Sequence, residues 1–338
     1  MVKQILMNEN AIMNIQESAQ EGNIGAFVRG YFLALESKGI KAASLHGWRQ
    51  RFDEELSDVD YVVSRDGFDR LVEDIAHYAK ESGWRLCQVL RHESTAAFCV
   101  CSWEGDPSRV VALDACSDYR RLERVLISEA DLLADREALD WGGHRLEEVM
   151  ELRYRFIKGA IKRKKAVDLV QDFGNYSEQS RQELQDWLSS RWQVTLGSWE
   201  ASDVDVAWRE LERRTLEDPV VGRFNKLKRI FWRVSRPTGL VLLNASDEQG
   251  DAVMGVFQRL YFRRKLESKS FALKSFKKLV SSTLMRCQKI NFLSRKLLGK
   301  KLVLEASSSE SANELVQRVA VHLQDRCLMR ERINLKTK

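Results

Sequence analysis

Helical and strand-like spacings of apolar residues alternate along the first half of the chain. Apolar side chains recur at helical spacing in four stretches, and two of these stretches end at a glycine. Helices are predicted over residues 24–39, 67–83, 122–135 and 145–163. Alternating or β-branched apolar runs predict strands at residues 57–63, at 109–116 and, as a pair, at 84–103. Because short turns join several of these strands, the pattern predicts an α/β fold with a mixed sheet.

The second half of the chain begins with a helical stretch and then returns to strands. Residues 176–217 show helical spacing and hold four tryptophans among charged residues, namely Trp187, Trp192, Trp199 and Trp208. We interpret these tryptophans as helix-packing anchors rather than a base-stacking platform, because large aromatic side chains dominate protein cores. Strands are predicted within GLVLLNAS and KKLVLEAS, and helices over residues 252–265 and 309–328.

Composition indicates a folded protein that is soluble and cytoplasmic. Hydrophobic residues make up 44% of the 338 residues and charged residues 31%, which excludes a wholly disordered chain. No apolar run approaches the roughly 18 residues that a membrane span needs. The N-terminus becomes polar at Asn8 and lacks the small-residue cleavage site of a secretion signal. Cys99 and Cys101 lie two residues apart in an apolar strand and are predicted to be small core residues.

Charge is spread unevenly along the sequence. Residues 1–150 carry 17 Lys and Arg against 27 Asp and Glu, whereas residues 223–301 carry 20 against 4. Such asymmetry indicates that one part handles metal ions while another meets an anionic surface or ligand. Three interpretations of the basic segment stay open. It packs against the acidic part of its own chain, lies on an anionic membrane surface, or holds RNA or another polyanion, with nucleic acid the less favoured partner.

Three aspartates form the most informative pattern in the sequence. Asp58 and Asp60 are two residues apart on a predicted strand, so both carboxylates point to the same face. Two like charges at such a short distance repel each other, which is costly unless a divalent cation neutralises them. Asp114, at the end of another apolar run, supplies a third acid on a neighbouring strand. Nucleotidyl and phosphoryl transfer use divalent metal ions held by carboxylates in this arrangement. We therefore predict that these three aspartates are catalytic residues and form a Mg²⁺ or Mn²⁺ site.

These residues also carry a resemblance to a known family. A glycine after a strand, then Asp-x-Asp and a later lone Asp, resembles the nucleotidyltransferase superfamily typified by DNA polymerase beta. The phrases LHGW, SDVDYVV, GWRLCQVLRHE and LDACSDYRR are similar to the N-terminal domain of proteins from bacterial exopolysaccharide clusters, often labelled thymidylate kinase-like. The resemblance covers roughly residues 28–160. It implies a nucleotidyltransferase-like mixed sheet with helices at the N-terminal end of this chain.

The resemblance also implies a nucleotide-binding set around the three acids. Gly47 would open a phosphate-binding turn, and the nucleotide-binding set is completed by Trp48, Ser57, Lys158 and Lys162. The superfamily usually has Gly-Ser at the turn, so with Trp48 in place of the serine only backbone N–H groups are left to hold the triphosphate. Lys158 and Lys162 are four residues apart on a predicted helix and would face the phosphates, or else form a solvated basic face. His46 is either a phosphate contact or a loop hydrogen-bonding residue.

The C-terminal half resembles a P-loop kinase domain that has lost its catalytic residues. In GLVLLNASDEQGDAVMGVFQRLYFRR the frame of strand, loop and helix is kept, with Gly250 as the one glycine of the loop. Asp251 stands where the resemblance places the catalytic Lys, and Ala252 where it places the hydroxyl that holds Mg²⁺. Since a carboxylate repels phosphate, we predict a degenerate P-loop-like α/β domain without kinase activity.

The fold class and the domain bounds follow from these patterns together with what the resemblance implies. We predict an N-terminal extension (1–23), a nucleotidyltransferase-like domain (24–160), a helical connecting region (161–236) and a degenerate P-loop kinase-like domain with a basic helical segment (237–338).

The predicted function is metal-dependent transfer of a nucleoside monophosphate from an NTP to an acceptor. The resemblance implies a sugar or lipid-linked intermediate of polysaccharide biosynthesis as acceptor, and hence a peripheral position at the inner face of the membrane. The alternative is a non-catalytic scaffold or regulator of the same fold, which binds a partner, membrane or nucleic acid through residues 223–301. A tRNA- or protein-modifying nucleotidyltransferase is a third interpretation.

Overall fold

The protein is described here by a computed structural model that covers most of the N-terminal two thirds of the chain and short pieces beyond it. The described residues are 13–46, 58–106, 109–121, 124–162, 165–216, 241–244, 249, 267–268, 302–305, 307, 309–318 and 321.

Helices and strands alternate up to residue 162 and helices follow. The helices are α1 (13–20), α2 (Ile24–Ser37), α3 (Arg65–Asp69), α4 (Leu71–Glu81), α5 (Glu129–Leu133), α6 (Glu148–Lys162), α7 (Ala166–Phe173), α8 (Glu178–Trp192) and α9 (Ala201–Leu216). The strands are β1 (Ala42–Ser44), β2 (Asp58–Val63), β3 (Trp84–Glu93), β4 (Ala96–Trp103), β5 (Val110–Cys116), β6 (Tyr119–Arg121), β7 (Arg124–Ile127), β8 (Arg136–Ala138), β9 (His144–Leu146), β10 (Val241–Asn244), β11 (Glu267–Ser268) and β12 (Leu302–Glu305).

A seven-stranded mixed sheet organises this part of the chain, as the sequence pattern predicts. Its strand order is β3-β4-β5-β2-β1-β9-β8. Strand β2 runs parallel to β5 and antiparallel to β1, whereas β4 runs antiparallel to both β3 and β5. The predicted mixed α/β architecture is therefore confirmed. The parallel pair at the centre places residues from two distant segments, 58–62 and 112–116, side by side.

Each face of the sheet is covered by a separate apolar core. Odd-numbered residues of β2, such as Tyr61, face a core that contains Phe27 and Tyr31 of α2 and Trp84 of β3. Even-numbered residues, such as Val62, face a second core formed with α6 to α9. Because successive side chains of a strand point to opposite faces, this alternation directs Asp58 and Asp60 toward the side of the sheet that carries α6.

Three of the predicted helices have different bounds in the structure. The helix predicted over 122–135 is wrong for residues 124–127, which form β7 and pair with β6; only α5 is helical there. Its start is fixed by a capping box in which Ser128 and Asp131 satisfy each other's backbone N–H groups. The helix predicted from residue 145 begins at Glu148, because β9 pairs with β1 and β8. The 67–83 stretch forms α3 and α4, which meet at Arg70.

Side chains interpreted as core residues in the sequence are buried in the structure. Cys99 and Cys101 are fully buried in the core on the α2 side. Trp208 is buried in the core on the α6 side, and the other three tryptophans pack against that core from partly exposed positions. The predicted helical stretch 176–217 is two helices, α8 and α9, separated at Gln193, whose φ of 52° ends α8 in a left-handed cap.

A small parallel sheet accounts for the described pieces of the C-terminal half. Its order is β11-β10-β12, so the strands predicted within GLVLLNAS and KKLVLEAS are confirmed and pair with each other. Residues 312–318 are helical, within the helix predicted over 309–328. Gln317 donates a hydrogen bond to Asp106 Oδ1 at 2.8 Å. No helix in the described part of the chain is both long and apolar enough to cross a membrane.

The contact between α6 and α9 gives a stability prediction. Gly159 of α6 packs so closely against Trp208 of α9 that a Cβ at position 159 would collide with the indole ring. Alanine normally stabilises a helix interior by about 1 kcal/mol relative to glycine. Here we expect Gly159→Ala to lower the free energy of unfolding by about 1–3 kcal/mol instead, because the collision outweighs the helical preference.

The matched control is Gly174→Ala, at the end of α7. Nothing lies within 4 Å of a Cβ built there, and φ is −58°. Urea unfolding should therefore show a neutral or slightly positive effect at position 174. Equal effects of the two substitutions would contradict the close approach of α6 and α9.

Candidate active site

The register of β2 and β5 brings two of the three predicted acids together. Asp60 is paired directly with Asp114 across the parallel strands, and Asp58 lies two residues before Asp60 on the same face. Neighbouring strands are about 4.8 Å apart, so carboxylates that are 54 residues apart in sequence become near neighbours. Asp58 is exposed, Asp114 is half-buried, and only 14% of the Asp60 side chain is exposed. The structure therefore places all three acids on the α6 side of the central strands.

Asp60 is held by two cationic or polar partners from other elements. Lys158 Nζ lies 2.7 Å from Asp60 Oδ2, and His46 Nε2 lies 2.7 Å from the same oxygen. Lys158 is on α6 and only 8% of its side chain is exposed, so the ammonium is taken out of water together with the carboxylate. His46 follows β1, and the Leu45 N–H donates to the Asp60 carbonyl at 3.0 Å, which fixes the end of β1 beside β2.

The three side chains cannot all be hydrogen-bonded to one another at once. His46 Nε2 is 2.6 Å from Lys158 Nζ as well as 2.7 Å from Asp60 Oδ2. An imidazole nitrogen either carries a proton and donates to the carboxylate, or carries a lone pair and accepts from the ammonium. Lys158 has three N–H donors, and within the described ranges its hydrogen-bond partners are Asp60 and His46. Its ammonium therefore depends mainly on Asp60.

Two tyrosines line the cluster on the core side. The Tyr154 ring, one helical turn before Lys158 on α6, stacks on His46 with ring centroids 5.9 Å apart. Lys158 Nζ lies 5.2 Å from the centre of the same ring, within the range of a cation–π contact. Tyr119 of β6 meets Tyr154 edge-on at 4.9 Å. The apolar faces of these rings limit where the Lys158 side chain can move.

The ionisation of this region is shifted by burial and by the two acids. Burial acts to raise the pKa of Asp60, but the hydrogen bond from His46 and the charge of Lys158 outweigh it and hold that pKa well below its usual range. Burial, followed by the charge of Asp60, raises the pKa of Tyr154. Burial, followed by Asp114 and then Asp60, raises the pKa of the Cys116 thiol. Both carboxylates thus act on one buried region, and Cys116 is held as a thiol.

The donor set suits a hard divalent cation that is shared with a phosphate ligand. Carboxylate oxygens are the ligands that Mg²⁺ and Mn²⁺ prefer. Across the described residues, no three His, Cys, Asp or Glu side chains are grouped so as to hold a metal by themselves. Mg²⁺, however, usually binds proteins through one or two carboxylates together with water and substrate phosphates. Asp60 and Asp114 provide that pair, and the ammonium of Lys158 already occupies a cation position beside Asp60.

The remaining predicted site residues have different outcomes. Gly47, Trp48 and Ser57 lie outside the described residues, so their predicted roles in nucleotide binding stay predictions. Lys162 is the last residue of α6, one turn beyond Lys158, and its side chain is exposed. The P-loop-like residues 250–252 and nearly all of the basic segment 223–301 also lie outside the described residues.

The sequence did not predict that two residues, His46 and Tyr154, belong to this cluster. The sequence allows two interpretations of His46, and it predicts no role for Tyr154. The available signal for Tyr154 is its spacing of four residues from Lys158, which puts both side chains on one face of α6. For His46 no local spacing points to Asp60, since the contact depends on how β1 pairs with β2.

Comparison of the chain with models of protein families, with curated proteins and with solved structures finds no match.

Proposed function

We propose that the strand face carrying Asp58, Asp60 and Asp114 performs metal-dependent nucleotidyl transfer. The observation that carries the proposal is the parallel register that sets Asp60 directly beside Asp114, with Asp58 on the same face. A basic residue of α6, Lys158, contacts Asp60 on this face. Transfer of a nucleoside monophosphate from an NTP requires that the negative charge of the triphosphate be neutralised. Paired carboxylates can hold a divalent cation that does this, and an adjacent basic residue adds further positive charge.

The roles of the side chains follow from their positions. Asp58 and Asp60 would hold Mg²⁺ or Mn²⁺, and Asp114 would bind one ion and orient the acceptor hydroxyl for loss of its proton. When bound, the metal supplies charge neutralisation at the triphosphate and lowers the pKa of that hydroxyl. Lys158, a flexible point charge, would contact a phosphate oxygen.

The wider assignment is part of the same proposal. The N-terminal sheet would be a nucleotidyltransferase-like domain, and residues 237–338 a degenerate P-loop-like domain without kinase activity. A sugar or lipid-linked acceptor in polysaccharide biosynthesis, a cytoplasmic location and contact of residues 223–301 with an anionic membrane stay predictions that rest on the resemblance. The support from the fold is that β1, β2 and β5 meet at the acids in one mixed sheet.

The direct test is thermal unfolding with each NTP in the presence of Mg²⁺ or Mn²⁺. A ligand at about one hundred times its Kd stabilises the native state by about 2.7 kcal/mol, which corresponds to a rise in Tm of about 5–10 °C for a domain of this size. We expect one NTP with metal to raise the Tm of the wild type. Asp58→Asn and Asp114→Asn should remove that rise, because each substitution removes a metal-binding charge at nearly constant shape.

Asp140→Asn is the matched control, since Asp140 is an exposed aspartate in the turn between β8 and β9. It should keep the full response to NTP and metal. If none of the NTPs shifts the wild type, or if Asp58→Asn and Asp114→Asn respond like the control, nucleotidyl transfer at these acids is wrong.

One observation favours the non-catalytic alternative. The ion pair between Lys158 and Asp60 satisfies the central acid within the protein itself, as a structural ion pair would. A scaffold of this fold would show no response to any NTP. Thermal unfolding with nucleotides therefore separates the two functions.

A further inference from the structure

The carboxylate that the proposed reaction needs is already neutralised by a lysine. Lys158 Nζ and His46 Nε2 both lie 2.7 Å from Asp60 Oδ2, so the metal-facing acid has a cation on one of its two oxygens. A divalent ion bound at the same carboxylate would meet the ammonium within a few ångströms. Like charges at that distance, in a site where both groups are largely buried, repel strongly.

Lys158 can leave Asp60 only if another anion replaces it. Its side chain is 92% shielded from solvent, and the ring of Tyr154 lies against it, so the ammonium cannot simply turn into water. Besides Asp60, its hydrogen-bond partner in the described part of the chain is His46 Nε2, which offers a lone pair at best and lies against the same carboxylate. A phosphate oxygen is the kind of acceptor that could take the ammonium at full charge.

From these contacts we infer that Lys158 is a built-in counter-cation that makes the site accept a divalent metal only together with a nucleotide. The triphosphate would draw the ammonium away from Asp60 and also supply the oxygen ligands that the protein lacks. The metal would then take the place of the ammonium at the carboxylate. This inference rests on the proposed function and gives Lys158 a further role, which is to couple the binding of the metal to the binding of the nucleotide.

Thermodynamic linkage turns this exchange into a measurable coupling. If nucleotide strengthens metal binding, metal strengthens nucleotide binding by the same factor. Couplings between two sites are typically about 5–150-fold. In the wild type we expect Mn²⁺ alone to bind weakly, and the coupling to nucleotide to be about 10-fold or more. Without the ammonium, Mn²⁺ alone should bind about 10-fold more tightly, and the coupling should shrink by the same factor.

The experiment is titration of the full-length protein with Mn²⁺, in which free Mn²⁺ is followed by electron paramagnetic resonance. The wild type and Lys158→Met are titrated without nucleotide and with the α,β-methylene analogues of the ribonucleoside triphosphates, which do not react. Lys158→Gln, which keeps a polar head without charge, serves as a second variant in case the methionine variant unfolds. Circular dichroism melts confirm that each variant is folded.

Two controls locate the effect. Lys80→Met removes one exposed lysine from α4, on the opposite side of the sheet, and should bind Mn²⁺ like the wild type. Asp60→Asn combined with Lys158→Met should lose the tight binding of Mn²⁺ alone, because the carboxylate is gone.

The outcomes separate the inference from the proposed function. Tighter binding of Mn²⁺ alone by Lys158→Met or Lys158→Gln, lost on Asp60→Asn, supports the inference. If the wild type binds Mn²⁺ with an analogue but neither lysine variant binds Mn²⁺ alone more tightly, the inference is wrong and the proposed function stands. If no protein binds Mn²⁺ with or without any analogue, both are wrong.

Discussion

Lys158→Met is expected to lower the free energy of unfolding by about 3–5 kcal/mol, because it leaves a buried carboxylate without its charged partner. Asp60→Asn should have an effect of similar size, since it leaves the ammonium of Lys158 without its main acceptor. His46 remains beside Asp60 in the first variant, so the loss should fall toward the lower end of that range. Urea unfolding of each variant near neutral pH measures these differences.

The double variant decides whether the two residues act as a pair. With Asp60→Asn and Lys158→Met combined, neither member of the ion pair is left as a charge without its partner, so the total loss should be smaller than the sum by about 1–3 kcal/mol. Lys162→Met is the control from the same helix: its side chain is exposed, and surface substitutions usually change stability by less than about 0.5 kcal/mol. Strictly additive effects of the two single substitutions would show that the ion pair does not form.

Trp84→Ala is expected to be the most destabilising single change in the core on the α2 side, at about 3–5 kcal/mol. Trp84 is fully buried, its ring centre is 4.6 Å from that of Phe27, and its Nε1 donates to the carbonyl of Ala19 at 2.8 Å. The substitution therefore creates a large cavity and also removes one of the two hydrogen bonds that the Ala19 carbonyl accepts, leaving the one from the Gly22 N–H. Chemical denaturation followed by circular dichroism measures the loss.

Trp103 offers a matched comparison on the neighbouring strand. It is paired with Trp84 across β3 and β4, and its Nε1 likewise donates to a carbonyl, that of Gln20, at 3.1 Å. Because Trp103 is only half-buried, Trp103→Ala should cost clearly less than Trp84→Ala. An equal or larger cost at position 103 would contradict the deeper burial of Trp84.

Much of the fold was predictable because local patterns and tertiary contacts agree. The alternating or β-branched apolar runs at 57–63 and 109–116 predicted β2 and β5, and the helical spacing of 24–39 predicted α2. The same patterns failed at residues 124–127. By apolar spacing, residues 124–127 fit the beginning of the helix predicted over 122–135. In the structure they form a strand because they pair with β6. Short apolar runs are ambiguous in this way, since their conformation depends on whether a partner strand is available.

The candidate site was likewise predictable only in part. That Asp58 and Asp60 share a face follows from the geometry of any strand, so the sequence determines it. That Asp114 shares the face depends on the register of β2 with β5, and a slip of one residue would turn its side chain to the other core. Tyr154 and Lys158 share one face of α6, whereas His46 follows β1, and no spacing in the sequence relates residue 46 to residue 158.

The sequence by itself determined the classes of element, the paired acids and the charge asymmetry, because these depend on residues that are near one another along the chain. Only the tertiary structure decided that the central acid is neutralised by a lysine 98 residues away. Burial is the physical reason: the apolar packing of α6 on the sheet brings the ammonium out of water, and a charge in that position needs a partner of opposite sign. The sequence supplies both charges, and the packing of the sheet against α6 joins them.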